Sequence, residues 1–257
     1  MKKLKSLVHH RRRVWVIGGS IAVVLLLGAA YAGYSLYSWG ALNDRSANWQ
    51  QSTRHLLDKV GSTKTGTVAE KTASIKRLQA AVAEIEKSTA QLCDVPGLVS
   101  WQTATESAKR TLRDCQKVAH NGELLSASLE KLSKYLESEA ALARIMTSPG
   151  LGGDLSDEKT WEASSKEWHG TAVAVKALKV DTVFNVTYAS AESAINELDA
   201  AWQELLAAHT AQNKAQFMSA QSRVEKAYGG LTTLRDTNDH ELQQLITEVN
   251  ARYKAAL

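Results

Sequence analysis

The segment AESAINELDAAWQEL (191–205) decides the class of this protein. Ala191, Ile195, Leu198, Trp202 and Leu205 recur at steps of three and four, which places them on one face of an α-helix. Such a face is stable in water only when buried against other helices. Upstream, Trp161, Ser165, Trp168, Ala172 and Val175 repeat the spacing, and before them stand Leu125, Leu129, Leu132, Leu136, Ala143 and Met146. Trp101, Ala104, Ala108, Leu112 and Cys115 make another stripe, as do Ile75, Leu78, Val82, Ile85 and Leu92. Stripes this rich in alanine are narrow, of coiled-coil type, and favour close antiparallel packing in a bundle. Composition agrees: 2 Pro and 2 Phe in 257 residues, with Ala, Leu, Ser, Glu and Lys dominant, suit helix and not sheet. The expected fold class is all-α.

Breaks in the pattern divide the chain. Gly61 to Gly66 separates a helix over 42–60 from the next, and Asp94-Val95-Pro96-Gly97 predicts a turn. Asn121-Gly122 either ends a helix or lies inside one running from about Thr103 to Thr147. Ser148-Pro149-Gly150-Leu151-Gly152-Gly153 is the strongest break, after which Ser156 is the expected cap, with Asp157 and Glu158 in the first turn. Asp181 to Val186 reads as a short non-helical link. Asn213 with Gln216 and Asn238 with Glu241 match capping boxes, unless either pair lies inside a continuous helix. The expected organisation is a first bundle region over 42–147, a Gly-rich linker over 148–155 and a second bundle region over 156–257, or one elongated bundle sharing both.

The N-terminal part has a different character. Val14 to Trp39 runs 26 residues without a charge, about 39 Å as a helix, against a hydrocarbon core of ~30 Å. Residues 1–13 form a basic stub containing Lys2, Lys3, Lys5, Arg11, Arg12 and Arg13. Trp15 at one end of the run and Tyr31, Tyr34, Tyr37 and Trp39 at the other resemble the two halves of an aromatic belt. The expectation is a single-pass signal-anchor in the plasma membrane, with the stub cytoplasmic, touching anionic lipid, and residues 40–257 extracytoplasmic. The alternative is secretion after cleavage near Ala32, since Ala30-Tyr31-Ala32 has the small-x-small form. Against it, the apolar run exceeds an h-region of roughly 7–15 residues. Gly28 with Ala32, and Ala29 with Gly33, would let a second membrane helix approach closely.

The net charge of +4 is unevenly placed. Six of the 31 Lys and Arg precede residue 14 and all 27 acids follow residue 43, which leaves 25 bases against 27 acids beyond the stub. That balance lacks the clustered basic face of a nucleic-acid binder, so nucleic acid is excluded as a partner.

Cys93 and Cys115 both fall in the region assigned outside, where disulfides persist. If 94–98 were a tight turn between straight helices, the two would stand ~25 Å apart, too far for a bridge. A disulfide between them therefore requires Val95 to Gln102 to fold back as a loop, with Trp101 as a plug, and it is expected to form.

No catalytic, cofactor or metal motif emerges. The histidines are scattered, with no HExxH, GxSxG or P-loop, and a spacing of 22 suits no CxxC centre. Gly152 to Glu158 places acids near glycines without the alternating oxygens of an EF-hand loop. Glu137 and Glu139 cannot share a helix face as an acid/base pair. Asn185-Val186-Thr187 fits a glycosylation sequon. Trp49, Trp101, Trp161, Trp168 and Trp202 either line a groove for a sugar or peptide or, as their stripes suggest, anchor cores.

The function expected is a non-enzymatic interaction or scaffold component of the cell envelope, with the bilayer and another envelope protein or a second copy as partners. The alternative is an extracytoplasmic ligand-sensing domain that signals through a partner. An anchor leading directly into long helices resembles, in architecture alone, the outer four-helix bundles of bacterial chemoreceptors, but no second span or output domain accompanies it. The loop Gly150, Leu151, Gly152, Gly153, Asp154 and the turn Gly61 to Gly66 are the candidate contact segments.

Overall fold

A computed structural model describes residues 34, 37, 38, 40–58, 68–94, 106–147, 155 and 157–256. All regular structure among them is helical: α1 over 40–58, α2 Val68–Ala90, α3 Glu106–Met146, α4 Glu158–Ala177, a 3₁₀ turn Thr182–Phe184, α5 Asn185–Thr210 and α6 Lys214–Ala256. These helices form two compact units. One comprises the described residues of Met1–Ser52 and Ser88–His120, the other those of Thr53–Lys87 and Asn121–Leu257. The smaller unit takes its helical segments from the region before the Gly-rich linker, and the larger joins segments from both sides of it.

In the smaller unit, α1 buries Leu42 and Trp49, seven residues apart on one stripe. The Trp49 indole donates to Ser88 Oγ at 3.1 Å, and Arg45 donates to the Asp94 carbonyl at 3.0 Å just past the end of α2. Cys93, in that same turn, meets the buried Cys115 of α3 at disulfide distance, with Cα atoms 5.8 Å apart. The approach is possible because α3 begins only at Glu106, so Cys115 lies within its first three turns. The loop around Trp101 lies outside the described residues.

In the larger unit the helices alternate in direction. Gln79 pairs with Glu137 and Glu86 with Ser126, so α2 and α3 run antiparallel. Asn121 reaches the Ala255 carbonyl and Ser128 reaches Glu248, so α3 and α6 do likewise. Glu158 meets His209 and His169 meets Asp199 across α4 and α5. Arg223 of α6 clasps Glu197 and Glu204 of α5. The core between them holds Trp168, Val175, Ile195, Leu198, Trp202 and Leu205, all at most 1% exposed. A buried Trp of this kind costs about 3–5 kcal/mol to truncate to alanine.

The capping differs from expectation by one residue at α4. Asp157, not Ser156, is the N-cap, accepting from the Lys159 amide at 3.1 Å. Asn213 does cap α6, its Oδ1 accepting from the Gln216 amide. The preceding turn closes α5 with a Schellman pair: the Asn213 amide donates to Ala208 O and the Gln212 amide to His209 O. Gln212 sits there at φ 53°, a left-handed position that favours glycine. Asn238 and Glu241 lie inside the continuous α6, and Asn121-Gly122 inside the continuous α3. The link after α4 is non-helical only as far as Asp181, whose side chain caps the 3₁₀ turn through the Val183 amide.

One stripe is displaced. Leu125 and Leu129 of α3 are buried as expected, but Leu132 and Leu136 are only half-buried, while Tyr135, Ala140 and Leu142 are buried. A straight helix drifts by ~20° per heptad from a strict seven-residue repeat, and over 41 residues that drift changes which residues face inward.

Candidate functional site

The site grows from an uncapped helix end. The residue before α5 is Phe184, whose side chain has nothing to accept a hydrogen bond from the first amides. Glu241 of α6 supplies the missing acceptor: its Oε2 takes the Thr187 amide at 3.2 Å and the Thr187 hydroxyl as well. A carboxylate at a helix N-terminus also complements the helix dipole. Because the Thr187 proton goes to Glu241, Thr187 Oγ1 is an acceptor toward the Tyr135 hydroxyl 3.1 Å away. The same phenol oxygen lies 3.0 Å from Asn238 Oδ1 and 3.1 Å from the Asn238 carbonyl.

Tyr135 is completely buried, its ring edge-on to Phe184. Burial pushes its phenol up to about 12; the Thr187 hydrogen bond opposes this, and the charges of Glu241, Glu139 and Asp239 reinforce it. The phenol is therefore a neutral donor at physiological pH and unsuited to act as a general base.

Beside this chain of oxygens opens a pocket of about 180 Å³. Its α3 wall is Glu139, Leu142, Ala143 and Met146, and Thr187 contributes from α5. Leu231, Leu234, Arg235 and Asn238 line it from α6. Drug-sized ligands occupy ~300–1,000 Å³, so this pocket suits a smaller molecule.

The residues singled out from sequence have separate fates. Cys93 and Cys115 come together. Tyr34 and Tyr37 are exposed, while Arg11, Arg12, Arg13, Trp15 and Trp39 lie outside the described residues. So do Gly150, Leu151, Gly152, Gly153 and Asp154, the turn Gly61 to Gly66, and Trp101. Trp49, Trp161, Trp168 and Trp202 are core anchors, none more than 7% exposed. Trp168 donates to the Tyr228 hydroxyl at 3.2 Å. His169 with Asp199, His209 with Glu158 and His240 with Gln244 are separate surface pairs. Among the described residues no group of three His, Cys, Asp or Glu is placed to hold a metal ion. The sequon at Asn185 has its Thr187 hydroxyl buried and engaged with Glu241.

Tyr135, Asn238 and Arg235 escaped the reading of the sequence. The available signal was Tyr135 itself, a polar-tipped ring interrupting a leucine-rich helix, and the Asn238–Glu241 spacing that resembled a cap. Glu241 does cap a helix, though not its own. No protein-family model matches the chain, and neither a curated protein nor a solved structure is significantly similar to it.

Proposed function

We propose that this chain is a single-pass, membrane-anchored extracytoplasmic helical bundle that serves the cell envelope as a non-enzymatic interaction or scaffold component. The observation that carries the reading is the uncharged run Val14 to Trp39 behind its basic stub, of which only residues 34, 37 and 38 are among the described ones. Among the described residues no helix is long and apolar enough to cross a membrane, so the anchor rests on that run alone. The Cys93–Cys115 pair supports an oxidising compartment for the helical part. Crosslinking in intact cells, with recovery through a tag after Leu257 and mass spectrometry, tests the reading. One reproducible partner, lost when residues 40–257 are replaced by an unrelated bundle, is expected. Recovery of no protein but the chain itself would remove partner scaffolding, and full extraction of the chain by alkaline carbonate would remove the anchor.

The second reading, a ligand-binding domain that signals through a partner, is favoured by one feature: the pocket of about 180 Å³ lined by α3, α5 and α6.

A further inference from the structure

The smaller unit is held together differently from the larger one. Among its described residues the buried apolar side chains are Leu42, Trp49, Leu92 and Cys115. The larger unit closes instead around one continuous cluster that includes Tyr135, Trp161, Trp168, Phe184 and Trp202. A unit with so few buried apolar groups falls in the range where a covalent staple supplies what the core does not.

Segment 88–94 gathers the ties of this unit. From α1 it receives the Trp49 indole on Ser88 and the Arg45 guanidinium on the Asp94 carbonyl, and Cys93 carries the bridge to α3. Hydrogen bonds of this kind exchange with water and contribute little net stability. The disulfide joins positions 22 apart in sequence and removes freedom that the first turns of α3 regain when it opens. Both cysteines belong to the smaller unit, so that freedom returns to this unit and not to the larger one.

The two sulfurs are unequally placed. Cys115 is 2% exposed, whereas Cys93 is half-buried in a turn between the exposed Gln91 and Asp94. An entering thiolate therefore meets Cys93, and Cys115 is the leaving group.

We propose that Cys93–Cys115 is a redox switch, opened by a protein dithiol of the thioredoxin class, that releases the smaller unit from its folded form and leaves the larger unit folded. The first thiolate of the dithiol attacks Cys93 Sγ; a mixed disulfide forms, the Cys93–Cys115 bond breaks, and Cys115 leaves as a thiolate that takes up a proton. The second thiolate then attacks its own partner sulfur in the mixed disulfide, and Cys93 leaves as a thiolate that is protonated in turn. Two electrons pass from the dithiol to the bridge, and the dithiol ends as a disulfide. The switch needs only the smaller unit and is independent of the membrane anchor.

Hydrogen exchange read by mass spectrometry, on the full chain in nanodiscs before and after reduction by dithiol thioredoxin, tests the switch. Amides of 40–52 and 106–120 are expected to exchange about a hundredfold faster after reduction, and those of 158–210 at an unchanged rate. Reoxidation by glutathione disulfide should restore the slow rates, and Cys93→Ser with Cys115→Ser should show the fast ones without any reductant. Unchanged exchange over 106–120 in the reduced chain would overturn the proposal. Equal acceleration over 158–210 would overturn it as well, because the bridge would then hold the whole molecule. A thioredoxin lacking its second cysteine should be captured on Cys93. Its capture on Cys115, or a bridge that dithiothreitol opens and thioredoxin does not, would overturn the assigned route of attack.

Discussion

Tyr135 has one proton and three oxygens within 3.1 Å to receive it. Removing the hydroxyl by Tyr135→Phe leaves the Asn238 side chain and Thr187 short of a partner inside the bundle. The expected cost is about 1–3 kcal/mol near neutral pH, read from urea denaturation. The phenol also makes stability depend on pH. Its folded value of about 12 stands above the ordinary 10, so the folded state holds the proton more firmly. That stabilisation is fully present below pH 10 and is lost as pH rises through 12. Wild type should therefore lose on the order of 2 kcal/mol more than Tyr135→Phe across that interval. Parallel alkaline unfolding curves for the two proteins would contradict the assignment. At this scale the sequence was only partly legible. The burial of Trp49, Trp161, Trp168 and Trp202 follows from their place in apolar stripes. The partners of Tyr135 do not, since they lie 52 and 103 residues away.

Helices are the most legible scale in this sequence, because a helix is a local pattern. The stripe Ile75, Leu78, Val82, Ile85 is buried throughout, and so is Ala191 to Leu205. Caps were legible to within one residue, as Asp157 and Asn213 show. The α3 stripe failed in its middle because a long helix rotates away from a strict repeat. The same helix carries buried Ser126, Ser128, Ser133 and Ser138, whose hydroxyls are satisfied by Glu86, Glu248, Glu137 and the Asp181 amide. In α6, Gly229 and Gly230 stand in mid-helix, where glycine is unfavourable by roughly 0.5–1 kcal/mol relative to alanine. A Cβ at Gly229 would meet nothing within 4 Å, and one at Gly230 would make an ordinary 3.6 Å contact with Ala194. Gly229→Ala should therefore raise the unfolding free energy by about 0.5–1 kcal/mol. A lower thermal midpoint would show that the glycine pair is needed for flexibility in α6.

For the molecule as a whole, the covalent link acts on the unfolded chain as well as on the folded one. Cys93 and Cys115 close a loop of 22 residues, which in the chain-entropy account contributes about 3 kcal/mol. Reduction, or Cys93→Ser with Cys115→Ser, should lower stability by that order in denaturant melts. Melts that coincide with and without reductant would show that the bridge does not constrain the unfolded chain. Its two partners were legible from compartment and parity, and the need for a loop before the helix that carries Cys115 from the distance a bridge allows. By itself the sequence determined the all-helical class, the uncharged N-terminal run, the apolar stripes and the cysteine pair, since each depends on spacing along the chain or on composition. Only the tertiary structure decided that Glu241 caps a helix begun 56 residues earlier, that Tyr135 joins three helices, and that α3, α5 and α6 line one pocket. Those relations depend on the register between helices, which close packing of many small side chains sets and no local spacing records.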